Sequence, residues 1–471
     1  MERALRRAVG AHWLLGFSGA APPDDFLRLL EAWRPPAVIL FRDNLAAGGD
    51  ALPVLRRRLE EAAGRELAVF LDEEGGWIQQ LGGDWPAPRA QAMAGTGAVA
   101  DCHRAMAARA AALGAEALCA PVADLDDGAA NPVIGSRSFG ADPDAAAGMV
   151  EAALRGLAAG GVLAILKHFP GHGDATEDSH ETLPVVAADR TAALVPFRRG
   201  VAAGAPAVMT AHVRLAGDDD PRPATFRQDL LRDVLPGETG FAGLVISDAL
   251  EMGGAAVVPA ADRGAAAFAA GCHLLTLARW EPGAEALLAG MAAALETGRI
   301  RQPWRDEARE RWAAFLDARP DPPGDAPAPD LAAVRRAAVF RPEAGGERPA
   351  GAGPAGASRD DVPWDGGPLD LELGATGSWR HEEFLAALSR LPVRRLAPGE
   401  PSRAAAYLHV GRRPPAPARL AELAARADAG PAVLSAGAWG WTLAFPDRLA
   451  TADATPAGVA ALLDAARSDA G

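Results

Sequence analysis

Eight short, uninterrupted apolar runs punctuate the first 280 residues, and they constrain the fold more than any other feature of the chain. They are Trp13–Phe17, Ala37–Phe41, Leu67–Leu71, Ala117–Val122, Val162–Leu166, Ala207–Thr210, Gly243–Ile246 and His273–Leu277. A strand that faces water on one side alternates apolar and polar residues, whereas a strand covered on both faces reads as one apolar stretch. Helical patterns lie between the runs, among them Phe26–Trp33, Ala105–Leu113, Ala145–Ala158 and Arg190–Ala203. Buried strands alternating with helices build βα units and a parallel sheet. Eight such units point to an α/β chain with a (β/α)8, TIM-type barrel, expected over residues 1–318.

The stretch Ala318–Asp330 is proline-rich and reads as a linker at 319–330. Residues 345–367 are rich in Gly, Pro and Ala and read as a long loop. Beyond them, strand-like Leu369–Leu373, Ala404–Val410 and Ala432–Ser435 alternate with helical patterns at Glu382–Leu391, Arg419–Ala427 and Pro456–Ala466. A smaller α/β, sandwich-like domain is expected over 331–471, without evident chemistry, since its only histidines are His381 and His409.

Acidic residues outnumber basic ones by 61 to 47, and no basic block offsets them, which argues against a nucleic-acid partner. The three cysteines form no metal-type pair and no disulfide framework; Cys119 and Cys272 sit in apolar runs and read as buried thiols. Arg3, Arg6 and Arg7 precede the mostly apolar Ala11–Gly19, a loose likeness to a secretory leader. Its apolar core is short and runs on to an amphipathic segment, so it reads as a first strand and helix. No apolar stretch reaches the ~18 residues of a membrane span. The expectation is a cytoplasmic protein, monomeric or weakly homo-oligomeric, with a small molecule as its partner.

Polar residues end several of the runs: Asp72, Asp124, Lys167-His168, His212 and Asp248. In a barrel of this kind the C-terminal ends of the strands form the mouth of the active site. Lys167 is the only lysine among 47 basic residues. A composition that drifts toward arginine keeps lysine where a compact, flexible ammonium is needed rather than a planar fork. Asn131, one of two asparagines, stands out more weakly by the same reasoning.

The segment Lys167–Pro184, KHFPGHGDATEDSHETLP, reads as a loop over the mouth, because its Pro-Gly-His-Gly cluster disfavours a helix. Lys167 and His168 would donate hydrogen bonds to a ligand, and His172 reads as a packed loop histidine. Asp178 and His180 are two apart, so in an extended loop they project to one side. Such an aspartate fixes the imidazole tautomer and raises its pKa, making a tuned proton donor and acceptor. Asp248 ends a bulky apolar strand, so its carboxylate is held at the mouth, as a nucleophile or as a metal ligand. Glu251 reads as the start of a helical turn. Asp72-Glu73-Glu74-Gly75-Gly76 is suited either to a cation or to sugar hydroxyls. Arg137 is a fork for a polar substrate group, or the partner of Asp142.

In this order, DEEGG, APVAD, NPVIGSRSFG, KHFPGHGDATEDSHETLP, MTAHV and SDALEM resemble bacterial glycoside hydrolase family 3, in its β-N-acetylhexosaminidase branch. The resemblance covers roughly residues 10–315. It implies a (β/α)8 barrel that removes terminal N-acetylglucosamine with retention, without metal or cofactor. By it Asp248 is the nucleophile, and His180, paired with Asp178, is the acid/base. Asp72, Arg137, Lys167, His168, Met252 and His212 would hold the sugar. The chain departs from the family pattern at Trp77 and Gln80, where the family usually carries arginines, and at Asp43. The C-terminal domain resembles, weakly, the α/β sandwich of two-domain members.

The implied substrates are cell-wall muropeptide fragments, or chitooligosaccharides. A phosphorolytic variant is a related possibility. Two other readings compete. In a metal-dependent barrel hydrolase, His168, His172, His180, His212, Asp72 and Asp248 would supply ligands. The other is a non-catalytic sugar-binding protein.

Overall fold

The structure, a computed structural model, describes residues 3–76, 78–81, 90–94, 97–126, 131 and 133–321, with the backbone of six strands between 369 and 452. All eight apolar runs become strands: β1 (Trp13–Phe17), β2 (Ala37–Leu40), β3 (Ala68–Leu71), β4 (Ala117–Leu118), β5 (Leu163–Phe169), β6 (Ala207–Thr210), β7 (Leu244–Ala249) and β8 (Leu274–Trp280). They pair in parallel and in chain order, and β8 closes on β1. The chain therefore carries a (β/α)8 barrel.

Buried on both faces, the strands divide their side chains between two apolar layers. Leu14, Ile39, Phe70, Ile165 and Ile246 pack inside the barrel. The alternate residues Leu15, Val38, Val69, Leu166 and Val245 pack in the outer layer with the helices. The helix Gln302–Asp317 closes the bottom, where Trp312 and Phe315 stack on Phe70 with ring centroids 6.3 and 5.9 Å away. That aromatic plug buries the end opposite the mouth, so the interior is solid core below and cleft above. Helix termini follow local chemistry. Asp142 caps helix Pro143–Ala159 by accepting the Ala145 N–H at 2.7 Å, with Pro143 in the first turn. Gly114, at φ 97°, ends helix Val99–Leu113 in the left-handed conformation that favours glycine.

Three strands differ informatively from their apolar runs. β5 continues through Lys167 and His168 to Phe169, which pairs with Thr210. β7 continues through Asp248 to Ala249, which pairs with Thr276. Lys167, His168 and Asp248 are thus strand residues, but side chains take over part of the ladder's work: the His168 N–H donates to Asp124 Oδ2 at 3.2 Å and the Asp248 N–H to Thr210 Oγ1 at 3.3 Å. β4 stops at Leu118, well short of Val122, because Pro121 has no N–H for a ladder.

A second sheet has the strand order Val393–Leu396, Leu369–Thr376, Ala405–Val410, Val433–Gly437, Gly440–Ala444 and Leu449–Ala452. The first four are parallel and the last two antiparallel. Three of these strands match the apolar runs. The edge strands, VRRL and LATA, lack such a run, which is usual for an edge. Gly440–Ala444 also escaped the sequence reading. The helices expected at Glu382–Leu391, Arg419–Ala427 and Pro456–Ala466, and most of the 319–330 linker, lie outside the described residues. Among the described residues no helix is long and apolar enough to cross a membrane.

Candidate active site

The C-terminal strand ends surround a cavity of about 1180 Å³. Its wall brings together Asp72, Arg137, Lys167, His168, His180, Asp248 and Met252 from β3, the β4 loop, β5, the lid after β5, and β7. Asp178 stands behind His180. His212 is a correction. It is fully buried, its Nε2 lies 2.9 Å from the Ala249 carbonyl and its Nδ1 2.9 Å from Thr225 Oγ1, and it does not line the cavity.

On the β3 side the three consecutive acids diverge. Asp72 reaches the cavity and pairs with Lys167. Glu74 is buried, 2.5 Å from Lys167 Nζ and bridged by both Nε (2.8 Å) and Nη2 (2.7 Å) of Arg137. Lys167 is 1% exposed. The lone lysine therefore knits two carboxylates together at the cavity wall, and Arg137 spends its fork on Glu74, not on Asp142. Burial works against the charge of Glu74, yet Arg137 and Lys167 together hold its carboxyl well below the ordinary range. Burial and that neighbouring charge push Asp72 upward against the pull of Lys167.

Glu73 turns the other way, accepting the N–H groups of Gln80 (2.5 Å) and Leu81 (3.1 Å). Burial pushes its carboxyl up to about 7. A carboxyl whose folded pKa exceeds its unfolded 4.5 loses stability as pH rises from about 4.5 to 7. Glu73→Gln keeps the acceptor oxygen and removes the charge. It should raise unfolding free energy by up to about 3 kcal/mol at pH 8 and by almost nothing at pH 4, measured by urea denaturation at both pH values. Gln80, at one of the departures from the family pattern, donates to the Asp72 carbonyl at 2.7 Å and accepts the Arg42 N–H at 2.8 Å, tying the β3 loop to the β2 loop. Asp43 pairs with Arg279 at 3.1 Å. Trp77 lies outside the described residues.

Asp124, after β4, anchors the start of the lid. Its Oδ2 accepts His168 Nδ1 at 2.7 Å and its Oδ1 the His172 N–H at 2.7 Å. On the other side of the His168 ring, Nε2 lies 3.4 Å from Arg137 Nη2, so the ring links Asp124 to the arginine that holds Glu74. His172 is packed as the sequence suggested, 2% exposed with Nε2 2.9 Å from Ser179 Oγ, and burial lowers its pKa to about 4. Both asparagines fasten rim loops. Asn131 donates to the carbonyls of His172 (2.8 Å) and Gly173 (2.9 Å) while accepting the N–H groups of Val133 and Ile134. Asn44 donates to those of Phe17 (2.9 Å) and Gly19 (2.8 Å) while accepting the Phe41 N–H.

Farther along, the lid is stitched to the loop after β6 by a short ribbon, Val185-Val186 against Arg214-Leu215. Its tip is bonded to the turn after β7. His180 Nδ1 donates to Asp178 Oδ1 at 2.7 Å and its N–H to the same oxygen at 2.9 Å. Asp178 O in turn accepts the N–H groups of Glu181 and Thr182, so the pair meets through a tight turn, not through extended-chain alternation. The His180 ring is 57% exposed toward the cavity. Its pKa lies below the ordinary histidine value. Lost hydration over the mouth is the main cause, outweighing the upward pull of Asp248.

Asp248 is half-buried at the end of β7, with Oδ1 accepting the Ala249 N–H at 2.8 Å. Burial pushes its pKa up, but the His212 and His168 imidazoles and the Ala249 N–H bring it below the ordinary value, so it is ionised at neutral pH. Glu251, expected to start a helical turn, lies in the turn ahead of the short helical segment Gly253–Ala255 and lines the cavity, with Oε1 accepting the Arg279 N–H at 2.8 Å; burial pushes its pKa up to about 7. Cys102, Cys119 and Cys272 are buried thiols. Among the described residues no three His, Cys, Asp or Glu side chains converge as a metal would need.

The residues that sequence reasoning underrated are Asp124, Glu74 and Gln80. Each is buried and polar, and each holds a neighbour that lines the cavity. Their signal was placement beside strand ends, which alone does not tell a ligand contact from a brace.

Comparison with known proteins agrees with this geometry. The "Glycosyl hydrolase family 3 N terminal domain" matches residues 37–314. A beta-hexosaminidase of Chromobacterium violaceum is 38% identical over 275 residues, 54% of this chain and 75% of that one. A family 3 beta-N-acetylglucosaminidase of Paenibacillus sp. str. FPU-7 superposes with a TM-score of 0.77 at 25% identity, covering 99% of this chain and 97% of that one. A beta-N-acetylhexosaminidase of Beutenbergia cavernae has a TM-score of 0.60 at 30% identity, over 66% of this chain and 98% of that one. With its barrel, its mouth and these relatives, the chain belongs to glycosyl hydrolase family 3 and is a glycoside hydrolase.

Proposed function

We propose that the protein is an exo-acting β-N-acetylhexosaminidase that releases terminal N-acetyl-β-glucosaminides with retention, through a covalent ester on Asp248. The observation that carries the reading is an ionised carboxylate on β7 and a carboxylate-oriented imidazole on the lid, both lining one cavity. His180 Nε2–H protonates the glycosidic oxygen as Asp248 attacks the anomeric carbon. The proton leaves with the departing alcohol, and the Asp248 charge disappears into the ester. The upward pull of Asp248 on His180 vanishes with it. The imidazole, its proton spent and that pull gone, stays neutral and takes a proton from the water that cleaves the ester, which restores the Asp248 carboxylate. This departs from the usual pair of carboxylates, and Asp178 supplies the fixed tautomer that a histidine needs.

Asp72, Lys167, His168, Arg137 and Met252 would hold the sugar, Asp72 and His168 by direct hydrogen bonds. The cavity exceeds the roughly 300–1,000 Å³ of ordinary small-molecule sites, leaving room for a second residue of the glycan. Cell-wall muropeptide fragments in the cytoplasm fit this reading, and chitooligosaccharides are the competing substrate. The C-terminal region is taken as a separate small α/β domain from 331 onward. His180→Ala tests the assignment. For aryl glycosides with poor leaving groups, kcat/KM should fall about 10²–10³-fold, and for the most acidic phenols about tenfold or less. An equal loss across the series would remove His180 as the acid.

A further inference from the structure

The turn after β7, residues 250–255, is wedged between two neighbours. On one side Glu251 ties it to the end of β8 through the Arg279 N–H. On the other, the Gly253 N–H donates to the His180 carbonyl at 3.0 Å and the Gly254 N–H to the Ser179 carbonyl at 2.9 Å. Neither glycine has the positive φ that would explain it by backbone conformation. Close approach explains both. A Cβ on Gly253 would stand 2.3 Å from the Glu181 carbonyl oxygen and 2.9 Å from that of His180. A Cβ on Gly254 would stand 2.9 Å from the His212 Cβ and 3.0 Å from the Ser179 carbonyl oxygen. Backbone oxygens and a Cβ cannot swing aside as a side-chain tip can, so the lid itself would have to move.

We propose that Gly253 and Gly254 are positioning residues, whose bare backbone seats the lid turn Asp178–Thr182 and thereby sets His180 opposite Asp248. The turn is otherwise closed on itself through Asp178, with Ser179 Oγ against His172 as a further hold. The nucleophile and the acid/base are therefore kept in register by contacts between loops, not by the barrel alone. A shift of about 1 Å in such a group is enough to cost about 10²-fold in rate.

The inference rests on His180 being the acid/base, and the experiment separates the two. Gly253→Ala and Gly254→Ala are compared with His180→Ala and with Gly148→Ala, a helix position where a Cβ meets nothing within 4 Å. The measurements are kcat, KM and melting temperature over aryl N-acetyl-β-glucosaminides of graded leaving-group acidity. Gly253→Ala should lose about 100-fold in kcat on the poorest leaving group and less than about fivefold on the best, with KM little changed. Gly254→Ala should follow in the same direction, and Gly148→Ala should match the wild type. A uniform loss, or none, in folded glycine variants overturns the inference. Unfolding of both at assay temperature overturns it too, since their role is then in folding. If His180→Ala itself shows no leaving-group dependence, the acid/base assignment falls and takes this one with it. If His180→Ala shows it and the glycine variants do not, only this inference falls.

Discussion

Asp248→Ala or Asp248→Asn should reduce turnover of an aryl N-acetyl-β-glucosaminide by roughly 10⁴-fold or more, with the protein still folded. Asn retains an oxygen to accept the Ala249 N–H that Oδ1 now accepts, so the loss reports chemistry, not collapse. The size follows from the two-step scheme. Without an attacking carboxylate, no ester divides one hard displacement into two easier ones. A small anion such as azide, admitted to the space vacated in Asp248→Ala, should restore part of the rate. It would attack from the nucleophile's side and leave a glycosyl azide of inverted configuration. Substantial residual activity without azide, or no inverted product with it, would remove Asp248 from the role.

Lys167→Met should lower unfolding free energy by about 3–5 kcal/mol, because a buried carboxylate loses its cation while its desolvation remains. Lys167 is 1% exposed and serves both Asp72 and Glu74. Met matches its length and apolar stem, so packing changes little and electrostatics dominate. Lys167→Arg should not rescue it. Both Glu74 oxygens are already taken by Arg137, so a second planar guanidinium cannot serve Glu74 and Asp72 together as the compact ammonium does. Lys167→Met combined with Glu74→Gln should recover part of the loss, as coupled groups do. Chemical denaturation of the three variants measures this, and a single-variant cost under 1 kcal/mol would place Lys167 outside the ionic core of the site.

The barrel was legible because strands buried on both faces announce themselves as apolar runs, and all eight runs were strands. Strand ends were less so: Lys167 and His168 look like loop residues by polarity but lie inside β5, and β7 runs one residue past Asp248. The cavity-lining set was legible in outline from Asp72, Lys167 and Asp248 at run ends and from the Asp178–His180 spacing. The partners of those residues were not. That Arg137 chooses Glu74 over Asp142 depends on β3 and the β4 loop facing one another across 63 positions of sequence. His212 looked identical in kind to His168, a histidine closing an apolar run. Only the three-dimensional arrangement turns one ring toward the cavity and engages the other with Thr225 and Ala249.

The two asparagines bear on how such a scaffold could be remodelled. Each side-chain amide fastens two consecutive rim segments, the β1 with the β2 segment through Asn44 and the β4 with the β5 segment through Asn131. A graft that exchanges one of these segments for that of a relative strands its neighbour's carbonyls without donors. Transplants aimed at new glycan preference should therefore move the segments as couples, donor and recipient together, and single exchanges should express poorly even where the incoming sequence is itself sound.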